Sequence, residues 1–193
     1  MKESDFPHRS LILGGVKSGK SGYAERLAKT CAENESAELT LIATALAGDE
    51  EIRLRIERHK ADRDKQWAVV EEPLLLARSL NAVDQQTRVS DRPKCIVVDC
   101  LTMWITNLLL EHDEDLLRRE VNLFRQAALD CTSPLILVSN ETNLGITPLG
   151  ELSRRFCDET GLLHQALGQI CDQVVLMVAG NAMYVKGQAH AII

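Results

Sequence analysis

This chain of 193 residues has few aromatic side chains, no excess of positive charge and no long apolar run. Aromatic residues make up only 4% of it, too few for a surface on which nucleic-acid bases stack. Its 22 basic residues are outnumbered by 28 acidic ones, and a net charge of −6 argues against general binding to nucleic acid or anionic membranes. No apolar stretch approaches the ~20 residues of a membrane span, and Met1–Ser10 lacks the pattern of a signal peptide. We therefore expect a cytoplasmic protein that binds neither nucleic acid nor membrane.

Disulfide and metal-binding patterns are also missing, although the chain has six cysteines. None of them belongs to a C-x-x-C pair, and most lie in apolar runs such as Lys94–Val97. Buried free thiols in a reducing compartment account for this distribution. A chain of this length buries roughly 70% of its unfolded surface, so its core needs no disulfide or structural metal. We expect a single domain over residues 1–193.

Short apolar segments alternate with longer amphipathic ones, which predicts right-handed βαβ units in a doubly wound α/β sheet covered on both faces. The predicted strands are Leu11–Leu13, Leu39–Ala43, Trp67–Val70, Ile96–Asp99, Leu135–Ser139 and Val174–Val178. The predicted helices are Lys20–Glu33, Glu50–Lys65, Leu74–Gln86, Met103–Leu110, Asp115–Leu129 and Leu149–Ile170. Met183–Lys186 follows the last strand after a short turn, which predicts an antiparallel hairpin at the sheet edge.

The segment that follows the first predicted strand fits the phosphate-binding pattern G-x-x-x-x-G-K-[ST] at every fixed position. Its residues, all assigned to nucleotide binding, are Gly14, Gly15, Val16, Lys17, Ser18, Gly19, Lys20 and Ser21. Glycines allow such a loop to point backbone N–H groups at phosphate oxygens, and the helix that follows adds its positive end. In this role Lys20 neutralises the β- and γ-phosphates, and the Ser21 hydroxyl coordinates Mg²⁺.

An acidic residue is expected to complete the metal site. Asp99 ends the apolar run Ile96–Asp99, the usual position of a carboxylate that organises Mg²⁺ beside a phosphate loop. The alternative is that Asp99 caps the next helix, because aspartate is a favoured N-cap residue. Glu141, which follows the strand Leu135–Ser139, is a second and weaker candidate at the same edge of the sheet.

The predicted helix Glu50–Lys65 is rich in basic side chains, and His59 continues its apolar stripe. Taken alone, this pattern is typical of a solvent-exposed amphipathic helix. The preceding strand ends at Ala43–Thr44, and we expect this end to lie beside the first strand, where ligands of open α/β sheets bind. A neutral imidazole at that place can act as a base or as a nucleophile toward phosphorus.

Three functions are compatible with these residues. The first is an enzyme that forms a covalent nucleotidyl-histidine. The second is an ordinary P-loop kinase for a small molecule, whose charged helix acts as a phosphate lid. The third is a binding module controlled by nucleotide, but Ser139–Thr142 lacks the lysine of the N-K-x-D signature, which counts against a switch-type GTPase.

From Leu11 to Lys186 the chain resembles the bifunctional cobinamide kinase/cobinamide-phosphate guanylyltransferase family of adenosylcobalamin biosynthesis. The blocks that carry the resemblance are Gly14–Ser21, Ile42–Thr44, Arg55–Arg63 with Trp67 and Glu71, Asp99–Trp104 with Thr106–Leu109, and Ser139–Glu141 with Gly145, Ile146 and Pro148. Their shared order and spacing are more specific than the phosphate loop alone. The expected fold is a RecA-like P-loop NTPase, with a mostly parallel sheet flanked by helices and an antiparallel C-terminal hairpin.

The resemblance implies catalytic roles for His59, as the guanylylated residue, and for Lys20. The nucleotide contacts that it implies outside the phosphate loop are Thr44, Ala45, Leu46, Lys60, Ala61, Asp62, Arg63, Glu71 and Asp99. Ser21 and Asp99 are the expected Mg²⁺ ligands. The implied substrates are adenosylcobinamide, adenosylcobinamide phosphate, and GTP or ATP, and the implied assembly is a homotrimer.

The chain departs from the family pattern in three places. Asp64 stands where proline is usual, and Thr142–Asn143 stand where Val-Gly is usual. Leu162 and His164 replace an arginine and an asparagine. These changes bear on the corrinoid side or on a subunit contact more than on the nucleotide cradle.

Overall fold

The computed structural model describes residues 6–45, 67–89 and 92–189, and these contain a seven-stranded sheet in the order β3-β2-β4-β5-β1-β6-β7. The strands are β1 (Arg9–Gly14), β2 (Glu38–Ala43), β3 (Trp67–Glu71), β4 (Lys94–Asp99), β5 (Leu135–Val138), β6 (Gln173–Val178) and β7 (Asn181–Lys186). The helices in the described ranges are α1 (Lys20–Glu35), α2 (Leu76–Val89), α3 (Leu101–Leu110), α4 (Glu114–Asp130) and α5 (Glu151–Ile170). The predicted helix Glu50–Lys65 lies outside the described residues.

The sheet is parallel from β1 to β6, and its central strands β4 and β5 are almost wholly buried. Such strands read as continuous apolar runs because helices cover both faces of the sheet. The mostly parallel α/β sheet predicted from the sequence is therefore confirmed in the described residues, which do not include the helix predicted between β2 and β3. The predicted hairpin is also confirmed, since β7 pairs with β6 in antiparallel orientation around Ala179 and Gly180, which both have positive φ.

Two apolar cores lie on opposite faces of the sheet. One core packs α2, α3, α4 and α5 against the sheet and contains the contacting rings of Trp104 and Phe124, whose centroids are 5.0 Å apart. The other core packs α1 against the opposite face. Because successive residues of a strand point to opposite faces, Leu11 enters the first core and Ile12 the second. The helices of the described ranges are too short or too polar to cross a bilayer.

The prediction that the end of β2 lies beside β1 is wrong. β1 pairs with β5 and β6, whereas β2 pairs with β3 and β4, so that two strands lie between β1 and β2. At about 4.8 Å per strand, the end of β2 is three strand spacings, or about 14 Å, from β1. The apolar pattern identified each strand, but it carries no information on how many positions a crossover skips.

Asp84 fastens α2 to the turn before β5. Its carboxylate, with the residue only 4% exposed, accepts hydrogen bonds from the backbone N–H groups of Thr132 (3.1 Å) and Ser133 (2.9 Å). The hydroxyls of the same two residues also donate to it. Burial raises the pKa of Asp84, but these hydrogen bonds and the Arg88 guanidinium together outweigh burial and lower it below its ordinary value.

We expect Asp84→Asn to lower the free energy of unfolding by about 1.5–3 kcal/mol at pH 7, because the amide cannot accept all of these donors. A lowered folded-state pKa means that the carboxylate stabilises the fold above the ordinary carboxyl pKa. This contribution is lost as the pH falls through the lower, folded-state value. Urea unfolding at pH 7 and at progressively lower pH measures the difference between wild type and variant, which should narrow in acid.

Asp130→Asn provides the control, because Asp130 lies at the exposed end of α4 and accepts a hydrogen bond from Gln126. Its effect should stay within about 0.5 kcal/mol. An Asp84 variant as stable as the Asp130 variant at pH 7 would contradict the role assigned to Asp84.

Candidate nucleotide site

The turn between β1 and α1 has the conformation that its phosphate-loop pattern predicts. Gly19 precedes α1 with a φ of 99°, and Lys17 also has a positive φ, of 56°. The Ser18 N–H donates to the Gly15 carbonyl at 3.2 Å, which closes the turn. Successive N–H groups in such a turn form a concavity for anions, and the N-terminus of α1 adds its partial positive charge.

Glycine at two positions allows this loop to pass close to the β6–β7 hairpin. A Cβ atom at Gly14, where φ is 150°, would lie 2.6 Å from the Met177 carbonyl oxygen, and one at Gly19 would lie 3.3 Å from Gly180 Cα. The Gly180 N–H donates to the Ser18 carbonyl at 3.0 Å, so the hairpin turn supports the loop. Gly15 differs from Gly14, because a Cβ atom there would meet no other atom within 4 Å.

Lys20 folds back over the loop from the first turn of α1. It is 7% exposed, and its ammonium donates to the Gly15 carbonyl at 2.7 Å. Burial raises the pKa of the Cys100 thiol; the Asp99 carboxylate raises it further, and the Lys20 ammonium lowers it. The opposite charges of Lys20 and Asp99 therefore both act on the Cys100 thiol, which follows the end of β4.

The register of the sheet places Asp99 and Glu71, two of the predicted nucleotide contacts, on the same edge of the sheet but at different distances from the phosphate loop. Ala43 of β2 is paired with both Glu71 and Asp99, and Asp99 is paired with Val138, which in turn is paired with Ile12 of β1. At about 4.8 Å per strand, Asp99 stands two strand spacings, about 10 Å, from β1, and Glu71 stands four spacings, about 19 Å, from it. Of Asp99 and Glu71, Asp99 therefore lies nearer the loop, and Glu71 lies toward the far end of the edge.

Thr44 connects the ends of β2 and β4. Its fully buried hydroxyl donates to the Cys100 carbonyl at 2.7 Å and accepts from the Cys100 N–H at 3.0 Å. The Asn107 amide of α3 donates to the Thr44 carbonyl at 2.8 Å. Thr44 therefore holds the turn after Asp99 in place, a role that sequence reasoning did not anticipate. Its predicted contact with nucleotide, like that of Ala45, stays a prediction.

His164 of α5 is a residue of the site that sequence reasoning left unassigned. Its Nε2 lies 2.7 Å from the Ser139 hydroxyl in a buried contact. Burial lowers the pKa of His164, and the Glu141 carboxylate opposes this effect, so the imidazole is neutral at pH 7. Its spacing from Thr160 and Leu167 places it on the buried face of α5. The sequence otherwise marked His164 only as a departure from the family pattern, expected to bear on the corrinoid side or on a subunit contact.

Ser139, the partner of His164, belongs to a segment that connects the phosphate loop to the helix that follows Asp99. The Ser139 N–H donates to the Ile12 carbonyl at 3.0 Å, and the Glu141 N–H donates to the Gly14 carbonyl at 2.9 Å. Between them, the Asn140 amide donates to the Thr102 hydroxyl at 3.1 Å. Residues 139–141 thus join the phosphate loop to the helix that follows Asp99.

Several predicted site residues lie outside the described residues. They are Leu46, His59, Lys60, Ala61, Asp62 and Arg63. Within residues 6–45, 67–89 and 92–189, no group of three or more His, Cys, Asp or Glu side chains is arranged to hold a metal. Ser21 and Asp99 stay the predicted metal ligands.

Comparison with known proteins gives a consistent family. Residues 10–185 match the family model described as cobinamide kinase/cobinamide phosphate guanyltransferase. The bifunctional adenosylcobalamin biosynthesis protein CobP of Pseudomonas aeruginosa is 50% identical over 184 residues, which cover 93% of this chain and 98% of that protein. The bifunctional adenosylcobalamin biosynthesis protein CobU of Escherichia coli is 30% identical over 189 residues, covering 91% and 98% of the two chains.

Solved structures show the same fold at low sequence identity. One of them, an ATPase domain, superposes with a TM-score of 0.56 at 11% identity, over 98% of this chain and 80% of that one. The KaiC-like protein PH0186 of Pyrococcus horikoshii superposes with a TM-score of 0.51 at 14% identity, over 87% and 69% of the two chains. The predicted P-loop NTPase fold is confirmed.

We expect Gly14→Ala to weaken nucleotide binding by about tenfold or more, because the added methyl group must displace the Met177 carbonyl or the loop. Gly15→Ala is the matched control, since its methyl group enters open space. Titration with a fluorescent GTP analogue measures both affinities. Equal affinities in the two variants would show that the close approach at Gly14 does not shape the loop.

We expect His164→Leu to cost about 1–3 kcal/mol of stability, because the buried Ser139 hydroxyl loses its partner. It should also lower turnover, since residues 139–141 are then held less firmly. His164→Gln should restore both, because the amide nitrogen of glutamine reaches approximately the position of imidazole Nε2. Urea unfolding and steady-state kinetics test the pair, and equal behaviour of the two variants would rule out the hydrogen bond as the cause.

Proposed function

Because the chain belongs to the cobinamide kinase/cobinamide phosphate guanyltransferase family, we propose that its phosphate loop serves two successive reactions. The first transfers the γ-phosphate of ATP or GTP to adenosylcobinamide. The second transfers GMP from GTP to adenosylcobinamide phosphate and gives adenosylcobinamide-GDP. The observation that carries the proposal is the loop Gly14–Ser21, with Lys20 folded over it, at the same sheet edge as Asp99.

In the kinase reaction the loop N–H groups and Lys20 bind the β- and γ-phosphates. The aminopropanol hydroxyl of adenosylcobinamide forms a bond to the γ-phosphorus, the bond to the bridging oxygen breaks, and the nucleoside diphosphate leaves. The hydroxyl proton passes to solvent. The transferred group carries its charge on peripheral oxygens, so catalysis depends on positioning and on the fixed positive charges of the loop.

In the guanylyltransferase reaction neutral His59 attacks the α-phosphorus of GTP. An N–P bond forms, the bond between the α-phosphorus and its bridging oxygen breaks, and pyrophosphate leaves on the phosphate loop. A phosphate oxygen of adenosylcobinamide phosphate then attacks the same phosphorus and frees His59. Lys60–Arg63 and Glu71 contact the nucleotide in this proposal. Glu71, far from the loop along the edge, is suited to the end of the nucleotide remote from the γ-phosphate.

The donors available near the loop suit a divalent cation such as Mg²⁺. The Ser21 hydroxyl and the Asp99 carboxylate are oxygen donors, and Mg²⁺ commonly takes few protein ligands and fills its other positions with phosphate and water oxygens. When bound there, the ion offsets phosphate charge during transfer. We include in the proposal a homotrimer, as the family resemblance implies. We also include a cytoplasmic location, which the six cysteines without a disulfide or metal-binding pattern favour.

Incubation with GTP labelled in the α-phosphate should attach label covalently to the wild type, because His59 retains the guanylyl group when pyrophosphate leaves. His59→Ala should carry none. His112→Ala is the matched control and should label like wild type. Denaturing electrophoresis detects the label, and its sensitivity to acid identifies the N–P bond. Equal labelling of wild type and His59→Ala would overturn the assignment of His59.

Comparison of Lys20→Ala with His59→Ala distinguishes the role of the shared phosphate loop from that of the histidine. It should lower both kinase and guanylyltransferase activity by about a hundredfold or more, whereas His59→Ala should leave the kinase reaction close to wild type. Phosphorylated and guanylylated cobinamide, separated by chromatography, report the two activities independently. A Lys20 variant that loses only one of them would show that the two reactions use different phosphate sites.

A further inference from the structure

Three large apolar side chains are almost fully exposed between β5 and α5. Leu144 is 80% exposed, and Ile146 and Leu149 are each 97% exposed. Other exposed large apolar side chains in the described residues range from 40% to 73%, and the one at 73%, Val16, belongs to the phosphate loop. The segment Thr142–Leu149 also contains no charged residue. Such a concentration of exposed apolar groups on an uncharged segment indicates a binding surface.

Polar contacts hold both ends of this segment. The Asn143 N–H donates to the Glu141 carboxylate at 2.7 Å, and the Asn143 amide donates to the Cys157 carbonyl at 3.1 Å. At the other end the Arg154 guanidinium donates to the carbonyls of Pro148 and Leu149. The backbone is fastened to α5 at both ends, and the apolar side chains are presented outward.

The segment is continuous with the nucleotide site. It follows Glu141, whose N–H donates to Gly14 at the start of the phosphate loop. At no more than about 3.6 Å per residue, the Cα of Leu144 lies within about 11 Å of that of Glu141, and the Cα of Ile146 within about 18 Å. The segment stays at the carboxyl edge of the sheet, because α5 has to begin there to return the chain to the start of the parallel strand β6.

We propose that Leu144, Ile146 and Leu149 form the surface that receives the corrin ring of the acceptor substrate. This inference rests on the proposed function. The hydroxyl or phosphate of the acceptor has to reach a nucleotide bound on the loop, so its macrocycle must lie beside the loop. A ring with peripheral methyl groups and uncharged amides is matched by an apolar segment that has no charged residue of its own.

The size of the surface favours a small molecule over a second copy of the chain. Three apolar side chains of this kind offer on the order of 300 Å² of apolar area. A standard protein interface buries about 800 Å² on each partner. The area of the three side chains is suited to one face of a macrocyclic ligand.

The test replaces all three residues in the variant Leu144→Ser/Ile146→Ser/Leu149→Ser, which should fold because these side chains are exposed. The KM for adenosylcobinamide phosphate should rise by about tenfold or more, since apolar contact with the ring is lost. The KM for GTP and the rate of covalent labelling by α-labelled GTP should stay within about twofold of wild type, because guanylylation of the enzyme precedes acceptor binding. Leu123→Ser/Leu129→Ser, on exposed positions of α4, is the matched control and should change none of these values.

Equilibrium dialysis with adenosylcobinamide phosphate measures the surface without catalysis, and sedimentation measures the oligomeric state. Unchanged affinity in the triple variant would overturn the inference. So would loss of self-association with unchanged affinity, which would assign the surface to a second copy. Weakened acceptor binding together with a wild type that takes no label would overturn the proposed guanylyl-histidine and leave this surface supported.

Discussion

The site depends on how closely three backbone segments approach one another at the end of β1. Gly14 accepts a hydrogen bond from Glu141 on one side and packs against the Met177 carbonyl on the other, at a distance that excludes a Cβ atom. Gly180 of the β6–β7 hairpin donates to Ser18 within the loop. A loop that binds phosphate must keep its N–H groups directed inward before the ligand arrives, because an unorganised loop would lose affinity on ordering. The strands on both sides of β1 supply that organisation.

The part of the site that sequence reasoning predicted well is local in the chain. The phosphate loop, the strand before it and the helix after it occur within residues 9–35, and Asp99 ends a strand that is recognisable by its own apolar run. The parts that it missed depend on contacts distant in sequence. Ser139 and His164 meet across 25 positions, and Thr44 and Cys100 across 56. Neither contact leaves a periodic signal in a single sequence.

The sequence did not predict the order of the strands in the sheet, for a related reason. Apolar runs identify buried strands, and parallel pairing follows from the intervening helices, but both hold for any arrangement of the strands in the sheet. In the observed order Thr44 lies away from β1, and β5 is the strand next to β1. Residues 139–141, which follow β5, therefore form hydrogen bonds with the end of β1 and support the phosphate loop. This explains why Glu141, the weaker acid candidate from the sequence, is bonded through its backbone to Gly14. It also brings the exposed apolar segment that follows Glu141 to the nucleotide site.

The kind of functional group changes along this edge of the sheet. Backbone donors and Lys20 lie at β1, the Asp99 carboxylate lies two strands away, and Glu71 lies at the end of the sheet. Beyond Glu141, the segment Thr142–Leu149 carries three exposed apolar side chains and no charged residue. An enzyme that joins a nucleotide to a large macrocycle needs these two kinds of surface next to each other, because each substrate is recognised by different forces.

If one phosphate loop serves both reactions, each chain has a single nucleotide site, and the stoichiometry of nucleotide binding measures this. Isothermal titration with a GTP analogue that cannot be hydrolysed or transferred counts the sites on each chain. We expect one bound nucleotide per chain in wild type and none in Lys20→Ala over the same concentration range. A second bound nucleotide per chain, or one whose affinity survives the loss of Lys20, would contradict it.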